Sequence, residues 1–370
     1  MKQVAGIAGA VLRIDLQAIR YNYRLLRGLL GMAKCGAAVK ADAYGVGAVQ
    51  VVQALYAEDC RDFFVAHLQE AIIIREHLPA DAAIYVMHGS PVGHEAELLE
   101  YNCTPVLNSL PQMLAWRALA QKEQRRLPAI VQVDTGMARM GLSATEVQQW
   151  QADASLNDGI DLQYIMSHLV SAEDQANPVN QQQLQRFNAL RAQIPACQGL
   201  PASLANSSGI FLGKDFHFDM ARPGAALYGV APVAGQANPL RAVAHLQGRI
   251  IQTREIPADT GVGYGSTWRS SQSTRIATVG VGYADGWMRS LSNRGIAHIA
   301  GQAVPMVGNV SMDTITLDVT AVAAEHLQPG SMVDLISADN TVDQVAARAN
   351  TIGYEILTSL GGRYERTYSN

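Results

Sequence analysis

Residues 37–47 read AAVKADAYGVG, a run of small and β-branched residues that ends at Lys40 and leads into a glycine-rich turn. An apolar run of this kind is typical of a strand that is buried on both faces, as in a parallel sheet. Burial lowers the pKa of a lysine and exposes the free amine that forms Schiff bases, so Lys40 is a candidate nucleophile. The alternative is a lysine that merely extends into solvent where its strand ends.

Short apolar runs and helix-like segments alternate after Lys40. Counting the run before Lys40, strand and helix alternate eight times over roughly 200 residues, which predicts a (β/α)8 TIM-type barrel in the α/β class. A doubly wound open sheet is the alternative, but no GxGxxG motif follows the first strand. The other predicted strands are 63–66, 83–87, 104–107, 130–133, 164–167, 202–205 and 224–227, and the predicted helices include 47–57, 69–77, 93–101, 109–121, 143–153 and 179–193.

The pattern changes after about residue 240, where short alternating runs separated by Gly, Pro and Asn predict a mainly β module. We therefore expect a barrel domain at 1–240 and a mainly β domain at 241–370. The first strand, about 1–14, is expected to pack with the second domain. The predicted strands of the module are 248–251, 275–279, 296–299, 315–319 and 332–336.

Composition predicts an ordinary soluble globular protein of 370 residues, with 48% hydrophobic residues and a net charge of -4. That balance gives no electrostatic reason to expect a nucleic-acid partner. The four cysteines are scattered without CxxC spacing, which indicates free thiols in a reducing cytosol, and no metal-binding motif is present. Arg13 and Asp15 come too early for a signal peptide, and no run is long enough to span a bilayer. We expect a cytoplasmic protein.

In a barrel, the active-site residues lie at the C-terminal ends of the strands and in the loops that follow them. A lone histidine there is more often a core residue than a catalyst, and Asp134 with Arg139 is usually a local salt bridge. Arg139 is also suited to grip a substrate carboxylate. Small-residue turns at 205–209 and 222–225 expose N–H groups that could hold a phosphate, although ordinary turns look the same. The polar residues at the predicted strand ends are Lys40, His88, Asp134, Thr135, Gly136, His168, Asn206, Ser207, Ser208 and Arg222.

Six motifs together resemble the alanine racemase family, and the match runs in order from about residue 10 to the end of the chain. The resemblance implies a barrel followed by a β domain, pyridoxal 5′-phosphate as the cofactor, and a homodimer with shared active sites. The motifs are AVKADAYG at 38–45, DTGM at 134–137 with Arg139, RPG at 222–224, GYG at 263–265, GYADG at 282–286 and SMD at 311–313.

The resemblance also implies the role of each site residue. Lys40 would hold the cofactor as an internal aldimine and act as one base, with Tyr264 as the other on the opposite face. An isolated tyrosine has a pKa of about 10, so Tyr264 would need neighbouring positive charge or hydrogen bonds. The remaining implied roles are phosphate binding by Tyr44, Ser207, Gly224 and Ala225, a contact of Arg222 with the pyridine nitrogen, a bridge by His168 between Arg222 and Tyr264, and carboxylate binding by Arg139 and the Met312 N–H.

Two positions depart from the family pattern. Many members have a carbamylated lysine where Gln132 stands, and that lysine orients the arginine matching Arg139. Many also place a tyrosine over the phosphate where a gapless reading gives Gly362. Either Tyr364 takes that role or the pocket is roomier, which brings strict alanine specificity into question.

The resemblance predicts an alanine racemase that supplies D-alanine for a bacterial wall. A serine or broad-specificity racemase on the same fold is the nearest alternative. A decarboxylase of basic amino acids would not need Tyr264 as a second base. A non-catalytic pyridoxal-phosphate carrier would have no use for the β domain.

Overall fold

The computed structural model describes residues 7–370 and forms two compact units. The barrel unit comprises Ile19–Leu227 and Ala231–Leu240. The β unit comprises residues 7–18, Tyr228–Val230 and Arg241–Asn370. Strand β1 (Ala10–Asp15) is followed directly by helix α1 (Leu16–Leu30), and Asp15 Oδ1 accepts the Ala18 N–H at 2.9 Å, as expected of an N-cap.

Parallel strands form the barrel unit. β3 to β9 make one continuous parallel sheet in chain order, and β10 pairs in parallel with β2. The Asp219 N–H bonds to Ala202 O at 3.0 Å and the Arg222 N–H to Ala205 O at 2.9 Å, which closes the ring between the ninth and tenth strands. The strands are β2 (Lys34–Cys35), β3 (Ala37–Ala38), β4 (Asp62–Val65), β5 (Ala83–Val86), β6 (Thr104–Leu107), β7 (Leu127–Gln132), β8 (Ile160–Met166), β9 (Ala202–Ser203) and β10 (Met220–Ala221).

β2 and β3 are two parts of one barrel strand, interrupted at Gly36. A Cβ on Gly36 would lie 2.8 Å from the Phe64 ring, so the close approach of these strands requires glycine. Within residues 34–221 the barrel therefore has eight strands, and the predicted (β/α)8 fold is confirmed. Its interior is filled by buried side chains, as in other barrels; they include Phe64, Tyr85, Val106, Ile130, Tyr164 and Met166.

The helices between the strands begin and end close to the predicted positions. Several start at polar caps: Ser143 Oγ accepts the Glu146 N–H, and Asn177 Oδ1 accepts the Val179 N–H. The helical segments are α2 (Lys40–Gly45, of unusual hand), α3 (Ala48–Tyr56), α4 (Leu68–Arg75), α5 (Glu95–Glu100), α6 (Leu110–Lys122), α7 (Ala144–Ala152) and α8 (Pro178–Gln193).

The strand predicted at 224–227 is wrong. Ala225–Tyr228 forms a 3-10 turn, and the last barrel strand is β10, which lies before Arg222. The prediction failed because a short buried apolar run has no periodicity that distinguishes a strand from a helical turn. Arg222 therefore follows the end of β10 and lies on the rim that holds the active site in barrel enzymes.

The β unit is built around an eight-stranded sheet in which β1 lies between two strands of the C-terminal region. β1 is antiparallel to β11 and parallel to β19. Residues 1–6 of the predicted first strand lie outside the described residues. The further elements are β11 (Ala244–Ile256), β12 (Gly261–Val262), β13 (Trp268–Arg269), β14 (Thr274–Val279), β15 (Ile296–Ile299), β16 (Gln302–Pro305), β17 (Ile315–Asp318), β18 (Met332–Ile336), α9 (Val342–Ala349), α10 (Gly353–Ser359) and β19 (Glu365–Ser369).

No helix within residues 7–370 is long and apolar enough to cross a membrane.

Candidate active site

The backbone immediately after Lys40 is left-handed. Residues 41–44, which we call the left-handed turn, have φ between 52° and 56° and ψ between 37° and 52°. None of them is glycine, and each left-handed residue of this kind costs about 1–2 kcal/mol. Strain of this type persists only where the surrounding structure enforces it, and it clusters at functional sites.

Lys40 is half-buried at the C-terminal rim of the barrel. Burial lowers the pKa of its ammonium group, and the neighbouring Arg139 guanidinium lowers it further, whereas Glu70 opposes both effects. A lowered pKa raises the fraction of free amine near neutral pH, which suits a lysine that acts as nucleophile and base.

Tyr44 and two loops form a cradle of hydrogen-bonding groups. Ser207 Oγ accepts the Gly224 N–H at 2.9 Å and the Ala226 N–H at 3.1 Å. The Tyr44 hydroxyl lies so close to Gly224 that a Cβ there would overlap it. The N–H of Ala225 is buried and has no acceptor within residues 7–370. An unpaired buried N–H beside two hydroxyl groups is suited to bind a phosphate.

Arg222 is buried and held from two strands. Its Nη1 donates to Ser203 Oγ, and its Nη2 donates to Ser167 O at 2.7 Å. Burial lowers the pKa of the guanidinium to about 10, which still leaves it cationic at neutral pH. Arg222 can therefore only donate hydrogen bonds.

His168 lies beside Arg222, with Nδ1 3.5 Å from the Arg222 Nη2. Because arginine can only donate, Nδ1 must be the acceptor, which leaves the proton on Nε2. Burial, reinforced by the Arg222, Arg139 and Lys40 charges, lowers the pKa of His168 to about 3. The imidazole is therefore neutral near pH 7 and places no positive charge beside Arg222.

Arg139 does not form the local salt bridge with Asp134. The Asp134 carboxylate instead accepts the N–H groups of Gly136, Met137 and Ala138 at 2.8, 2.9 and 3.2 Å. Arg139 is exposed and has no hydrogen bond or ion pair within residues 7–370, and none joins it to the buried Gln132. Its guanidinium is thus available to a ligand, near enough to Lys40 to affect the pKa of that amine.

Tyr264 and Met312 both lie on the surface of the β unit. Tyr264 is 74% exposed and sits between Gly263 and Gly265, whose φ values are 69° and 70°. The Met312 N–H has no acceptor in the described part of the chain, although its carbonyl accepts the Ala284 N–H at 2.9 Å. The exposed hydroxyl of Tyr264 and the N–H of Met312 are accessible to a partner or ligand.

The C-terminal departure from the family pattern also lies in the β unit. No atom of residues 7–370 lies within 4 Å of a Cβ added at Gly362, so this position faces open space. Tyr364 is only 2% exposed, and its buried hydroxyl has no hydrogen-bond partner among residues 7–370. Between them, Arg363 bonds to Asp285 at 3.1 Å and to Asp313 at 2.8 Å, which ties the Met312 loop to the C-terminal segment.

Sequence reasoning missed two residues of this arrangement. Ser203, which holds Arg222, was only a polar residue inside a predicted strand. Glu70, which accepts the Ala41 N–H at 2.6 Å, was part of a predicted helix. The spacing of Glu70 three residues after His67 is a signal for a helix N-terminus but not for a site. His88, at a predicted strand end, is exposed and packs edge-on against His67, with ring centroids 4.5 Å apart.

No group of three or more His, Cys, Asp or Glu residues within the described range 7–370 is arranged to hold a metal ion.

Comparison with protein families matches both halves of the chain. A family model described as "Alanine racemase, N-terminal domain" matches residues 14–232, and one described as "Alanine racemase, C-terminal domain" matches residues 243–368.

Individual relatives match over nearly the whole chain. A protein named "Alanine racemase, catabolic" from Mesorhizobium japonicum is 47% identical over 98% of this chain and 93% of its own length. One named "Alanine racemase" from Rhodospirillum rubrum is 48% identical over 98% and 96%. The crystal structure of alanine racemase from Bartonella henselae with covalently bound pyridoxal phosphate has a TM-score of 0.94 at 41% identity, covering 98% of this chain and 100% of that one. The chain belongs to the alanine racemase family.

Proposed function

We propose that this protein is a pyridoxal 5′-phosphate-dependent alanine racemase, which interconverts L-alanine and D-alanine. The observation that carries the proposal is the juxtaposition of a lysine of lowered pKa with a hydroxyl and N–H cradle suited to phosphate. The names of the relatives and of the similar structure agree with it.

The residues of the barrel unit fit this cofactor. Tyr44, Ser207 and the unpaired Ala225 N–H would bind its phosphate, and Lys40 would attach it covalently. Arg222 would donate a hydrogen bond to the pyridine nitrogen. When bound, the cofactor supplies a conjugated system that accepts the electron pair left on the substrate Cα after deprotonation.

Racemisation needs two groups that exchange a proton with opposite faces of the substrate Cα. Lys40 Nζ would take or deliver the proton on one face, and Tyr264 Oη on the other. Arg139 and the Met312 N–H would hold the carboxylate, since both are free of other partners within residues 7–370. Holding the carboxylate fixes Cα between the two bases.

Arg222 would favour racemisation over side reactions of the same cofactor. A cationic donor opposite the pyridine nitrogen disfavours protonation of that nitrogen, because two positive charges would then face each other. Arg222 would thereby weaken electron withdrawal by the bound cofactor and limit side reactions such as transamination. Ser203 and Ser167 would keep the guanidinium in place.

The test of this function is chiral analysis of the purified protein with pyridoxal 5′-phosphate and either enantiomer of alanine. We expect both reactions to approach an equal mixture, and the Lys40→Ala variant to lose at least about 1000-fold in rate because it lacks both attachment and base. Borohydride reduction followed by peptide mapping should find the cofactor on Lys40. A label on Lys34, or no interconversion at saturating cofactor, would refute the proposal.

We also propose that the protein is a homodimer in which residues 1–240 of one chain and residues 241–370 of the other share each site. Tyr264, Tyr283 and Met312 support this: all are large, exposed and close together on the β unit, where Asn309 Nδ2 donates to Tyr264 O and Tyr283 N donates to Ser311 O. Exposed patches of this kind mark protein contacts.

Subunit exchange tests the shared site. Lys40→Ala and Tyr264→Phe homodimers should each be nearly inactive. A mixed dimer would have one site with both residues intact and one site lacking both, so activity should reappear on mixing. If exchange is confirmed by mass and activity stays at background, both residues act in the same chain.

For the physiological role we propose supply of D-alanine as a peptidoglycan precursor in the cytoplasm. The four cysteines are free thiols, as expected in a reducing compartment. Deleting the gene should then create a D-alanine requirement. A catabolic role, as in the name of the Mesorhizobium relative, would instead leave growth intact and abolish the use of D-alanine as a nitrogen source.

Turnover of serine is a second candidate activity, favoured by the open space at Gly362. The buried hydroxyl of Tyr364 is not accessible to a ligand, so we infer that Tyr364 does not replace the missing tyrosine. Serine should be a detectable but poorer substrate than alanine.

A further inference from the structure

We propose that Glu70 is a positioning residue for this reaction: it locks the left-handed turn and so directs both Lys40 and Tyr44. The inference rests on the proposed function, because it explains how the covalent attachment point and one phosphate ligand are oriented together.

The Glu70 carboxylate joins two separate segments of the rim. Oε1 accepts the Ala41 N–H at 2.6 Å, at the start of the left-handed turn. Oε2 accepts the Ala66 N–H at 2.7 Å and the His67 N–H at 3.1 Å, in the loop between β4 and α4. One side chain therefore fastens the backbone after Lys40 to the end of the neighbouring strand.

The left-handed turn also has bonds of its own. The Ala43 N–H bonds to Val39 O at 2.9 Å and spans the entrance of the turn. The Gly47 N–H bonds to Asp42 O at 2.9 Å, and the Ala48 N–H bonds to Asp42 Oδ1 at 2.7 Å. These bonds secure the exit of the turn. Glu70 adds the bond that joins the entrance of the turn, next to Lys40, to a separate segment of the rim.

The turn links two functional groups. Lys40 precedes it, and Tyr44, the last left-handed residue, has its hydroxyl against Gly224 in the phosphate cradle. If the entrance loosens, the directions of the amine and the hydroxyl change together. The negative charge of Glu70 also raises the pKa of Lys40, against the effects of burial and Arg139.

An amide cannot replace this carboxylate. Glutamine offers one acceptor oxygen, and its NH2 group would face either the Ala41 N–H or the Ala66 and His67 N–H groups. Glu70→Asp keeps the charge but is shorter by one methylene, so it should still cap α4 without reaching Ala41.

Glu146 provides a matched control. It occupies the same third position of a helix, α7, and its Oε2 accepts the Ser143 N–H at 2.9 Å. Its Oε1 accepts the N–H of Leu110, in a distant segment, at 3.0 Å. Like Glu70, Glu146 caps a helix with one carboxylate oxygen and binds a distant N–H with the other. It has no bond to the turn after Lys40.

The experiment compares Glu70→Gln, Glu70→Asp and Glu146→Gln. In the cofactor-free protein, the pH dependence of Lys40 acetylation by acetic anhydride, read by peptide mass, reports the Lys40 pKa. Binding of 4′-deoxypyridoxine 5′-phosphate, which has no aldehyde, reports the phosphate cradle alone. Thermal unfolding reports the stability of each variant.

We expect Glu70→Gln to lower the Lys40 pKa and to weaken analogue binding about tenfold, the effect of losing one charge-assisted hydrogen bond. In Glu70→Asp the Lys40 pKa should stay close to its wild-type value, because the negative charge remains. Analogue binding should nevertheless be as weak as in Glu70→Gln, because the bond to Ala41 is lost. Glu146→Gln should lose comparable stability and change neither readout.

If Glu70→Gln matches Glu146→Gln in every readout, Glu70 only caps a helix and the inference is wrong. If Glu70→Gln does not fold, the analogue binding of Glu70→Asp decides, because unchanged binding there contradicts the inference. Failure of the proposed function would look different: the wild-type protein would not racemise alanine, while the acetylation readout would still report on Glu70.

Discussion

Single residues in this site owe their chemistry to partners that are distant in the sequence. Arg222 is the example: Ser203, in β9, and the carbonyl of Ser167, directly after β8, hold its guanidinium. A sequence motif can suggest that Arg222 matters. It cannot show which acceptors satisfy the hydrogen bonds of a buried guanidinium, because those acceptors meet it only when the strands pair.

His168 should make the protein less stable in mild acid. Its pKa in the folded state is about 3, below the ordinary value of 6.5, so the unfolded chain binds the proton first as pH falls. This destabilisation is nearly absent at pH 7.5 and grows as the pH falls through 6.5, so the free energy of unfolding should decrease by about 1.4 kcal/mol by pH 5.5. Urea unfolding of the cofactor-free protein at pH 7.5 and 5.5 measures it. His168→Gln should show a smaller loss; an equal loss in both proteins would contradict the assignment.

Gly362→Tyr should narrow the substrate range. No atom of residues 7–370 lies within 4 Å of the added Cβ, so the immediate surroundings do not exclude a larger residue. Filling the open space should raise the alanine-to-serine ratio of kcat/KM by roughly 10-fold or more, within the 1–3 kcal/mol typical of such pockets. Gly362→Ala, which adds one carbon, is the control and should stay near the wild-type ratio. An unchanged ratio in Gly362→Tyr would mean that Gly362 does not border the substrate.

At the scale of elements, alanine is unfavourable in the left-handed turn and favourable in a right-handed helix. Ala41 is exposed and left-handed, whereas Ala118 is exposed in the middle of α6. Ala41→Gly should raise the free energy of unfolding by about 0.5–1 kcal/mol, because the relief of strain exceeds the entropy cost of glycine. Ala118→Gly should lower it by about 1 kcal/mol. Chemical denaturation of the cofactor-free variants measures both, and a loss in each would show that the turn is not strained.

Element prediction succeeded for the long helices of the barrel unit and failed for one short apolar run. α6 and α8 begin and end within one residue of the predicted ranges 109–121 and 179–193. The run 224–227 was wrong because its burial comes from packing in a loop, and hydrophobicity alone does not report backbone conformation.

At the scale of the whole molecule, β1 is required by the C-terminal sheet. Residues 241–370 alone lack the strand that lies between β11 and β19, so we expect that fragment not to fold. Ile14 pairs with Ala244 in antiparallel register, so an Asn-Gly turn can join residues 7–15 to residues 243–370.

The chain in which an Asn-Gly turn joins residues 7–15 to residues 243–370, called the hybrid, should fold. It should give a dispersed NMR spectrum and a cooperative thermal transition. Leu12→Asp within the hybrid places a charge at a fully buried position and should abolish both. A fragment 241–370 that folds equally well by itself would show that β1 is dispensable.

The sequence by itself determined the alternation of strands and helices, the change of pattern near residue 240, the position of Lys40 at the end of a buried strand and the motifs of the family. These features depend on neighbours in the chain, whose spacing is visible in the sequence. Only the tertiary structure decided the hand of the turn after Lys40, the partners of Arg222 and the placement of β1 beside β19. Each of these depends on hydrogen bonds between residues far apart in the chain, such as Glu70 with Ala41 and Leu12 with its partners in β11 and β19, and no local pattern encodes such pairs.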